Sequence, residues 1–225
     1  MDYQFLSKTA LFRGATAQEV ETMLSCFRAE CRSYPKGSTI LRAGDTATSL
    51  GIVLSGNVSI ENDDAWGNKS VLDHARPGQV FAETYACVPG EVLMISVVAT
   101  EPSEVLFLDM RHVLQICSNA CSFHNKLVRN LLAIASQKNL HLSRRIFHTS
   151  SKSIRGRLLS YLSYQALQKG SREFDIPFNR QQLADYLSVD RSALSNELSN
   201  MQREGLLQVK RSHFHLLDIH PEEVY

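Results

Sequence analysis

Residues 179–205 have the sequence Asn179-Arg-Gln-Gln-Leu-Ala-Asp-Tyr-Leu-Ser-Val-Asp-Arg-Ser-Ala-Leu-Ser-Asn-Glu-Leu-Ser-Asn-Met-Gln-Arg-Glu-Gly205, which predicts two helices joined by a tight turn. Asn179 is a good N-cap for the first helix, and Gln182 stands where a capping box needs a side chain that reaches back to the cap. Residues 188–189 form the turn, and Asp190 is a good N-cap for the second helix. Gly205 is predicted to end that helix, because glycine adopts the left-handed conformation without strain.

The second helix of this stretch has one apolar face and one polar face. Leu194, Leu198 and Met201 recur at helical spacing and are therefore predicted to be buried. In the first helix the corresponding apolar residues are Leu183, Ala184 and Leu187. The exposed face of the second helix carries short hydrogen-bonding side chains and one arginine: Arg191, Ser192, Ser195, Asn196 and Ser199.

Two short apolar runs follow the helices, at residues 206–209 and 214–217. The four residues between them are Lys210-Arg211-Ser212-His213, so the loop that joins the runs is basic. Two short strands with a turn between them, placed directly after a helix pair, predict a winged helix-turn-helix with a basic wing tip.

Such a helix fits the major groove of DNA, where its N-terminal half reaches the edges of the bases. Arg191 is suited to a bidentate contact with guanine, and Asn196 to one with adenine. The alternative is a small helical domain whose polar face meets only water. On the DNA hypothesis, the phosphate-binding candidates are Arg180, Lys210 and Arg211, and the remaining candidates for DNA contact are Asn179, Ser192, Ser195 and Ser199.

The composition suits a cytoplasmic protein that binds nucleic acid with one end of its chain. Among the 225 residues no apolar run approaches the roughly 20 residues that span a bilayer, and no secretion leader is visible, so no membrane partner is expected. Residues 1–141 hold 12 Lys and Arg against 14 Asp and Glu, whereas residues 142–225 hold 12 against 9. The net charge is therefore −2 for the first part (12 − 14) and +3 for the C-terminal part (12 − 9), and these sum to the +1 of the whole chain. Five cysteines without a leader favour reduced thiols over a disulfide framework.

The rest of the chain divides into a β-rich part and a long helix. From Tyr34 to residue 108, short β-type runs alternate with glycine-containing turns, which is typical of an antiparallel barrel or jelly roll. Residues 111–147 contain no proline or glycine and predict one long helix, whose apolar stripe suits pairing with a second copy in a parallel dimer. The predicted domains are an effector-sensing β-roll (1–110), a dimerisation helix (111–148) and a DNA-binding domain (149–225).

With these parts in this order, residues 5–218 resemble the CRP/FNR family of bacterial transcription regulators, especially members common in anaerobic Firmicutes. The resemblance is carried by Leu41-Arg-Ala-Gly-Asp45, by Gly51-Ile-Val-Leu-Ser-Gly-Asn-Val58 and by Pro77-Gly-Gln-Val-Phe-Ala-Glu83, which occupies the place of the family's phosphate-binding cassette. It implies an α+β fold with an N-terminal antiparallel β-roll (a cyclic-nucleotide-binding-like jelly roll), a long dimerisation helix and a C-terminal winged helix-turn-helix. It also implies a homodimer on double-stranded DNA, with RNA polymerase as a partner if the output is activation.

The departures from the family pattern bear on the effector and on the operator. Members that bind cyclic AMP hold its phosphate with an Arg-Ser pair, but Leu93-Met94 stand at those positions, so cyclic AMP is not the expected effector. No cysteine precedes Cys26, which speaks against the family's iron–sulfur mechanism. Ser192 and Asn196 replace an acidic residue and an arginine that are common in the recognition helix, so a different operator is expected.

Two hypotheses about the sensor remain open. The first is that an unknown small molecule binds in an apolar pocket, which could instead be a filled core; the second is that the cysteines sense a metal or a redox change. Cys117, Cys121 and His124 share one face of the long helix, with Cys87 as a possible fourth ligand, although such thiols more often fill space. No cofactor is expected. The pocket residues predicted are Phe81, Ala82, Glu83, Thr84, Leu93, Met94, Phe123 and Leu127.

An enzyme built on the β-roll is not expected. A cupin-like metal site needs several histidine or carboxylate ligands on adjacent strands, and this region offers only His74. The other histidines considered, at positions 112, 141 and 148, have no partner at catalytic spacing and are predicted to lie on the surface.

Overall fold

The structure is a computed structural model that describes residues 1–63, 69–114 and 122–217, apart from the side chains of residues 63, 69, 114, 122 and 123. The chain forms two compact units, Met1–Gln137 and Lys138–Tyr225. The division falls inside the long helix. Each unit has its own apolar core, and together they have the predicted α+β fold with a β-roll and a C-terminal winged helix-turn-helix.

The first unit begins with two short helices, which are followed by eight strands and two further short helices. Thr16 caps the second helix in a capping box with Glu19. The elements are α1 (Tyr3–Ser7), α2 (Ala17–Cys26), β1 (Glu30–Tyr34), β2 (Thr39–Leu41), β3 (Ser49–Ser55), β4 (Val58–Asp63), β5 (Lys69–Ala75), β6 (Val80–Phe81), α3 (Glu83–Cys87), β7 (Ser96–Ala99), β8 (Ser103–Asp109) and α4 (Met110–Leu114).

The eight strands form two antiparallel four-stranded sheets, with strand orders β1-β8-β3-β6 and β2-β7-β4-β5. Their facing sides enclose an apolar interior to which both sheets contribute, as a jelly roll requires. Gly51 is essential to this packing, because a Cβ atom there would lie 2.2 Å from the Phe81 ring. The interior residues are Val53, Val58, Ala75, Phe81, Val97, Val105 and Phe107.

The outer face of the first sheet packs on helices. Strand residues such as Ile52 and Leu106 form one core with residues of α1, α2 and the long helix. Two polar contacts add to this packing: Lys126 donates to the Gly14 carbonyl at 3.1 Å, and Asn130 donates to the Leu11 carbonyl at 2.9 Å. These contacts fix the first half of the long helix against its own unit.

The predicted long helix is observed at both ends. Residues 110–114 are helical, and α5 (Ser122–Thr149) continues to two residues beyond the predicted end. The residues between these helices lie outside the described part of the chain. No helix in the described ranges is both long and apolar enough to cross a membrane.

The second unit contains the last turns of α5, three further helices and a three-stranded sheet of order β10-β11-β9. The strand β9 was not predicted, because it has only three residues and forms by pairing with the distant β11. The elements after α5 are α6 (Ile154–Lys169), β9 (Glu173–Asp175), α7 (Arg180–Leu187), α8 (Arg191–Arg203), β10 (Leu207–Lys210) and β11 (His213–Leu216).

Candidate functional site

The helix pair α7–α8 has the predicted caps. Asn179 Oδ1 accepts from the Gln182 amide at 2.9 Å, and Gln182 Oε1 accepts from the Asn179 amide at 2.8 Å. The Asp190 carboxylate accepts from the Ser192 hydroxyl and from the amides of Ala193 and Ser192, and these bonds lower the pKa of its carboxyl group. Gly205 has a φ of 76°, and its amide and the next one close a Schellman motif on α8. The position and the length of α8 are therefore fixed by local sequence.

The faces of α8 are those predicted from the helical spacing. Leu194, Leu198 and Met201 are buried in the core of the second unit. On the opposite side Arg191, Ser192, Asn196 and Ser199 are exposed, and Ser195 is half-buried. The exposed polar face of α8 is thus available to the major groove of DNA.

Some side chains of this face are already engaged in hydrogen bonds, and others are not. Ser195 and Ser199 donate their hydroxyls to backbone carbonyls one turn earlier, at 2.9 and 3.0 Å, and Ser192 donates to the Asp190 carboxylate. Within the described ranges no group hydrogen bonds to the side chain of Arg191 or Asn196. The side chains of Arg191 and Asn196 are therefore the ones free to turn toward base edges.

The wing is a hairpin with a two-residue turn between Lys210 and His213, which face each other across β10 and β11. Arg211 occupies the turn with a φ of 60°, and both Lys210 and Arg211 are exposed. His213 is paired with Glu173 at 3.0 Å and Asp175 at 3.3 Å, and these acids raise the pKa of its imidazole. The pairing ties the wing, directly after its turn, to β9.

A shallow groove of about 510 Å³ runs between the wing turn and the N-terminus of α7. Arg180 and Arg211 both line it, and burial lowers the pKa of Arg180. Asn179 also lines it, but its side-chain oxygen is engaged in the cap. Three of the predicted DNA-contact residues, Asn179, Arg180 and Arg211, therefore lie at one groove, whereas Lys210 does not line it.

Arg155, on α6, supports the recognition helix from behind. Its guanidinium binds Glu197 at 2.6 Å and Glu204 at 2.7 Å, both on the side of α8 that faces α6. The pair of carboxylates raises the pKa of Arg155, and Arg155 lowers the pKa of Glu204. No helical periodicity of apolar residues could have pointed to this contact.

The predicted effector residues are only partly brought together. Phe81 is buried in the roll interior, and Leu93 and Glu83 are also buried, the latter at 4% exposure. Leu127 belongs instead to the helical core on the outer face of the sheet. Thr84 is exposed. Met94 is 73% exposed, because this residue lies in the bend that leads into β7.

Ala82 and Phe123 complete the predicted pocket set. Ala82 is half-buried and has a φ of 58°, a left-handed conformation that places it at the start of α3. The side chain of Phe123 lies outside the described part of the structure. The residues that do cluster are therefore those at the end of β6 and the start of α3.

A cleft of about 480 Å³ that the sequence did not suggest is lined by residues of β1, β2 and the end of β8. Its mouth is polar: Arg32 pairs with Glu30, and Arg111 pairs with Asp109, each at 2.6 Å. These ion pairs join neighbours two residues apart, so hydropathy patterns carry no signal for them.

The metal or redox hypothesis finds no support. Cys117 and Cys121 lie outside the described residues, and His124 packs edge-on against the Phe27 ring at 4.6 Å. Burial raises the pKa of the Cys87 thiol, which disfavours the thiolate. Within the described ranges no group of three or more potential ligands could hold a metal ion.

The surface prediction for His148 is wrong. This side chain is 1% exposed, and its ring lies 5.6 Å from Tyr161, 5.2 Å from Tyr164 and 6.1 Å from Tyr186. Nothing close to His148 in the sequence indicated burial, because the tyrosines that cover it belong to later helices. His74 and His141 are exposed as predicted, and His112 is half-buried.

Comparison with known proteins extends over both units. Residues 31–120 match the family model for the cyclic nucleotide-binding domain, and residues 156–220 match the model for the Crp-like helix-turn-helix domain. The cyclic AMP receptor protein of Thermus thermophilus is 26% identical over 199 residues, which cover 88% of each chain. The transcriptional regulatory protein btr of Bordetella pertussis is 22% identical over 207 residues, covering 92% of this chain and 84% of that protein.

Solved structures show the same fold. The catabolite activator protein of Thermus thermophilus aligns with a TM-score of 0.52 at 23% identity, covering 93% of this chain and 94% of that one. The c-di-GMP responsive global regulator CLP of Xanthomonas campestris aligns with a TM-score of 0.53 at 19% identity, covering 91% and 100%. At such identities the likeness concerns the fold alone.

Proposed function

Because the chain belongs to the CRP/FNR family of DNA-binding transcription regulators, we propose that it binds a roughly palindromic operator as a homodimer and responds to a small molecule other than cyclic AMP. The family's members are transcription regulators rather than enzymes, and they carry an effector-binding domain. If the output is activation, RNA polymerase is a further partner.

The observation that carries the proposal is the polar face of α8. Arg191 and Asn196 are exposed, and their side chains have the donor geometry that pairs with guanine and adenine, respectively. Arg180, Lys210 and Arg211 lie on α7 and on the wing, which flank this helix in a winged helix-turn-helix, and they supply charge for phosphates. Base contacts then give specificity, and the phosphate contacts give register and affinity.

Dimerisation is supported by an apolar seam along α5. The seam residues repeat with alternating steps of four and three, which is the a/d spacing of a coiled coil. All of them are exposed in the single chain, whereas the neighbouring Leu127 and Leu131 are already buried in the first unit. The seam comprises Val128, Leu132, Ala135, Asn139, Leu142 and Ile146.

Asn139 is the one polar residue in this seam, and it stands at an a position. A single asparagine at such a position costs stability but selects the parallel, in-register dimer, because two amides can pair only in that arrangement. This is the arrangement that would place two copies of α8 about one helical turn of DNA apart. The functional division into residues 1–110, 111–148 and 149–225 follows from these roles.

An effector without a negatively charged phosphate is supported by the charges of the roll. Every arginine described in residues 1–137 is exposed, and the only buried charged side chain described there is Glu83. A cyclic phosphate would therefore enter an apolar interior with no buried cation to pair with, which is costly.

Calorimetric titration with cyclic AMP tests the effector proposal, with the cyclic AMP receptor protein of Thermus thermophilus as the positive control. We expect the control to bind under conditions in which this chain gives no saturable heat. Saturable binding at comparable affinity, together with tighter binding to the operator, would overturn the proposal.

A further inference from the structure

The carboxyl end of α7 is bound by an arginine from the long helix. Arg145, near the end of α5, donates from Nη2 to the Asp185 carbonyl and from Nε to the Tyr186 carbonyl, both at 3.3 Å. The last carbonyls of a helix have no intrahelical partner, and they carry the negative end of the helix dipole. A guanidinium satisfies two of them and also complements their charge.

A second arginine, from α6, binds the next two carbonyls. Arg157 donates from Nη1 to the carbonyls of Leu187 at 3.0 Å and Ser188 at 2.9 Å. Its Nε donates to the Ser151 carbonyl at 2.8 Å, in the segment that connects α5 with α6. Arg145 and Arg157, with the four carbonyls of residues 185–188, form what we call the α7 clamp.

The clamp acts on the turn that determines where the recognition helix begins. Ser188 has a φ of 54°, and Asp190 caps α8 only two residues later. A shift of the last α7 carbonyls therefore moves the first residues of α8, including Arg191. Arg155 holds α8 from the α6 side, so the turn is fixed by side chains from two preceding helices.

Packing at the same place provides an independent link between these helices. His148, one turn after Arg145 on α5, donates or accepts at 3.1 Å with Ser160 of α6 and packs against Tyr186 of α7. The buried ring and the clamp thus join the end of α5, the start of α6 and the end of α7 into one body.

We propose that Arg145 and Arg157 are positioning residues that fix the direction of the helix-turn-helix relative to the end of α5. In the proposed dimer, on which this inference rests, α5 is the element that the two copies share. The α7 clamp then sets the separation and the tilt of the two recognition helices, without contact between either arginine and DNA.

The test uses the operator selected from random DNA and derivatives in which the spacing between half-sites is changed by two base pairs. Full-length wild type, Arg145→Ala, Arg145→Lys, Arg157→Lys and Lys152→Ala are compared by fluorescence anisotropy. Lys152 is exposed, lies between α5 and α6 and takes no part in the clamp, so Lys152→Ala removes a positive charge close to the clamp without disturbing its hydrogen bonds. Calorimetric melting confirms that each variant is folded.

We expect Arg145→Ala and Arg157→Lys to bind the operator more weakly and to discriminate between correct and altered spacing about tenfold less than wild type does, because the coupling is looser. Arg145→Lys should be intermediate, and Lys152→Ala should keep the discrimination of wild type. A purely structural contribution would weaken binding equally at every spacing, and unchanged discrimination in the folded clamp variants would overturn the inference. If the wild-type protein bound operators of correct and altered half-site spacing equally well, that result would instead refute the proposed dimer.

Discussion

At the scale of single residues, the polar face of α8 contains two kinds of side chain. The serines are engaged with the helix backbone or with the cap, so they present at most an accepting oxygen to DNA. Arg191 and Asn196 extend from the helix, and each has the bidentate geometry that distinguishes one base pair from another. Specificity should therefore depend mainly on these two residues.

Replacement of Arg191 by alanine should weaken binding to the selected operator by about 1–3 kcal/mol while leaving random DNA nearly unaffected. Arg203, at the exposed end of α8, gives a matched control, since Arg203→Ala removes the same charge from the same helix. Anisotropy titrations on both DNAs measure the difference. Equal losses on operator and random DNA would rule out a base-reading role for Arg191.

The buried His148 makes the second unit sensitive to acid. Burial lowers the pKa of its imidazole below the ordinary 6.5, as does the nearby Arg144, while the rings of Tyr161, Tyr164 and Tyr186 pack around it from α6 and α7. Below pH 6.5 the unfolded chain binds a proton that the folded unit does not, so stability falls as the pH falls.

We expect the His148→Phe variant to lose this part of the acid sensitivity. For one group the slope reaches at most about 1.4 kcal/mol per pH unit, and above pH 6.5 the group contributes none. Calorimetric melting of wild type, His148→Phe and His141→Gln at pH 7.5 and 5.5 provides the measurement. His141 is exposed and serves as control; a variant that destabilises in acid as much as wild type would contradict this account of His148.

At the scale of elements, what was predictable from sequence depended on whether the signal was local. The caps at Asn179 and Asp190 and the stop at Gly205 lie within a few residues of the helices they define, so they were predicted correctly. β1 and β9 were not, because β1 is mostly exposed and each forms by pairing with a distant strand. Likewise the contacts of His148, Arg145 and Arg157 depend on helices that come together only in the folded unit.

The seam of α5 gives a prediction at this scale. Leu142→Asp places a charge in the proposed dimer core and should raise the dimer dissociation constant by roughly a hundredfold or more. Leu167 is equally apolar and exposed, but it lies on α6, so Leu167→Asp is the matched control. Sedimentation should show monomers for Leu142→Asp only. Dimers that persist in this variant would place the interface elsewhere.

At the scale of the whole molecule, the order of β-roll, long helix and winged helix-turn-helix was predictable, because each part has its own hydrophobic periodicity and its own turn or capping residues. The effector was not, since the departures at Leu93 and Met94 argue against cyclic AMP without naming another ligand. The fold presents the polar face of α8 and the apolar seam of α5, and we propose that they serve operator binding by a symmetric pair of chains.

Selection of bound sequences from a random DNA pool by the full-length protein tests that claim most directly. We expect enrichment of a two-fold symmetric site whose half-sites lie about one helical turn, roughly 10 base pairs, from centre to centre. Repetition with Arg191→Ala should relax the preference at the base pair that Arg191 contacts in each half-site. Enrichment of unpaired half-sites, or of no sequence at all, would contradict this claim.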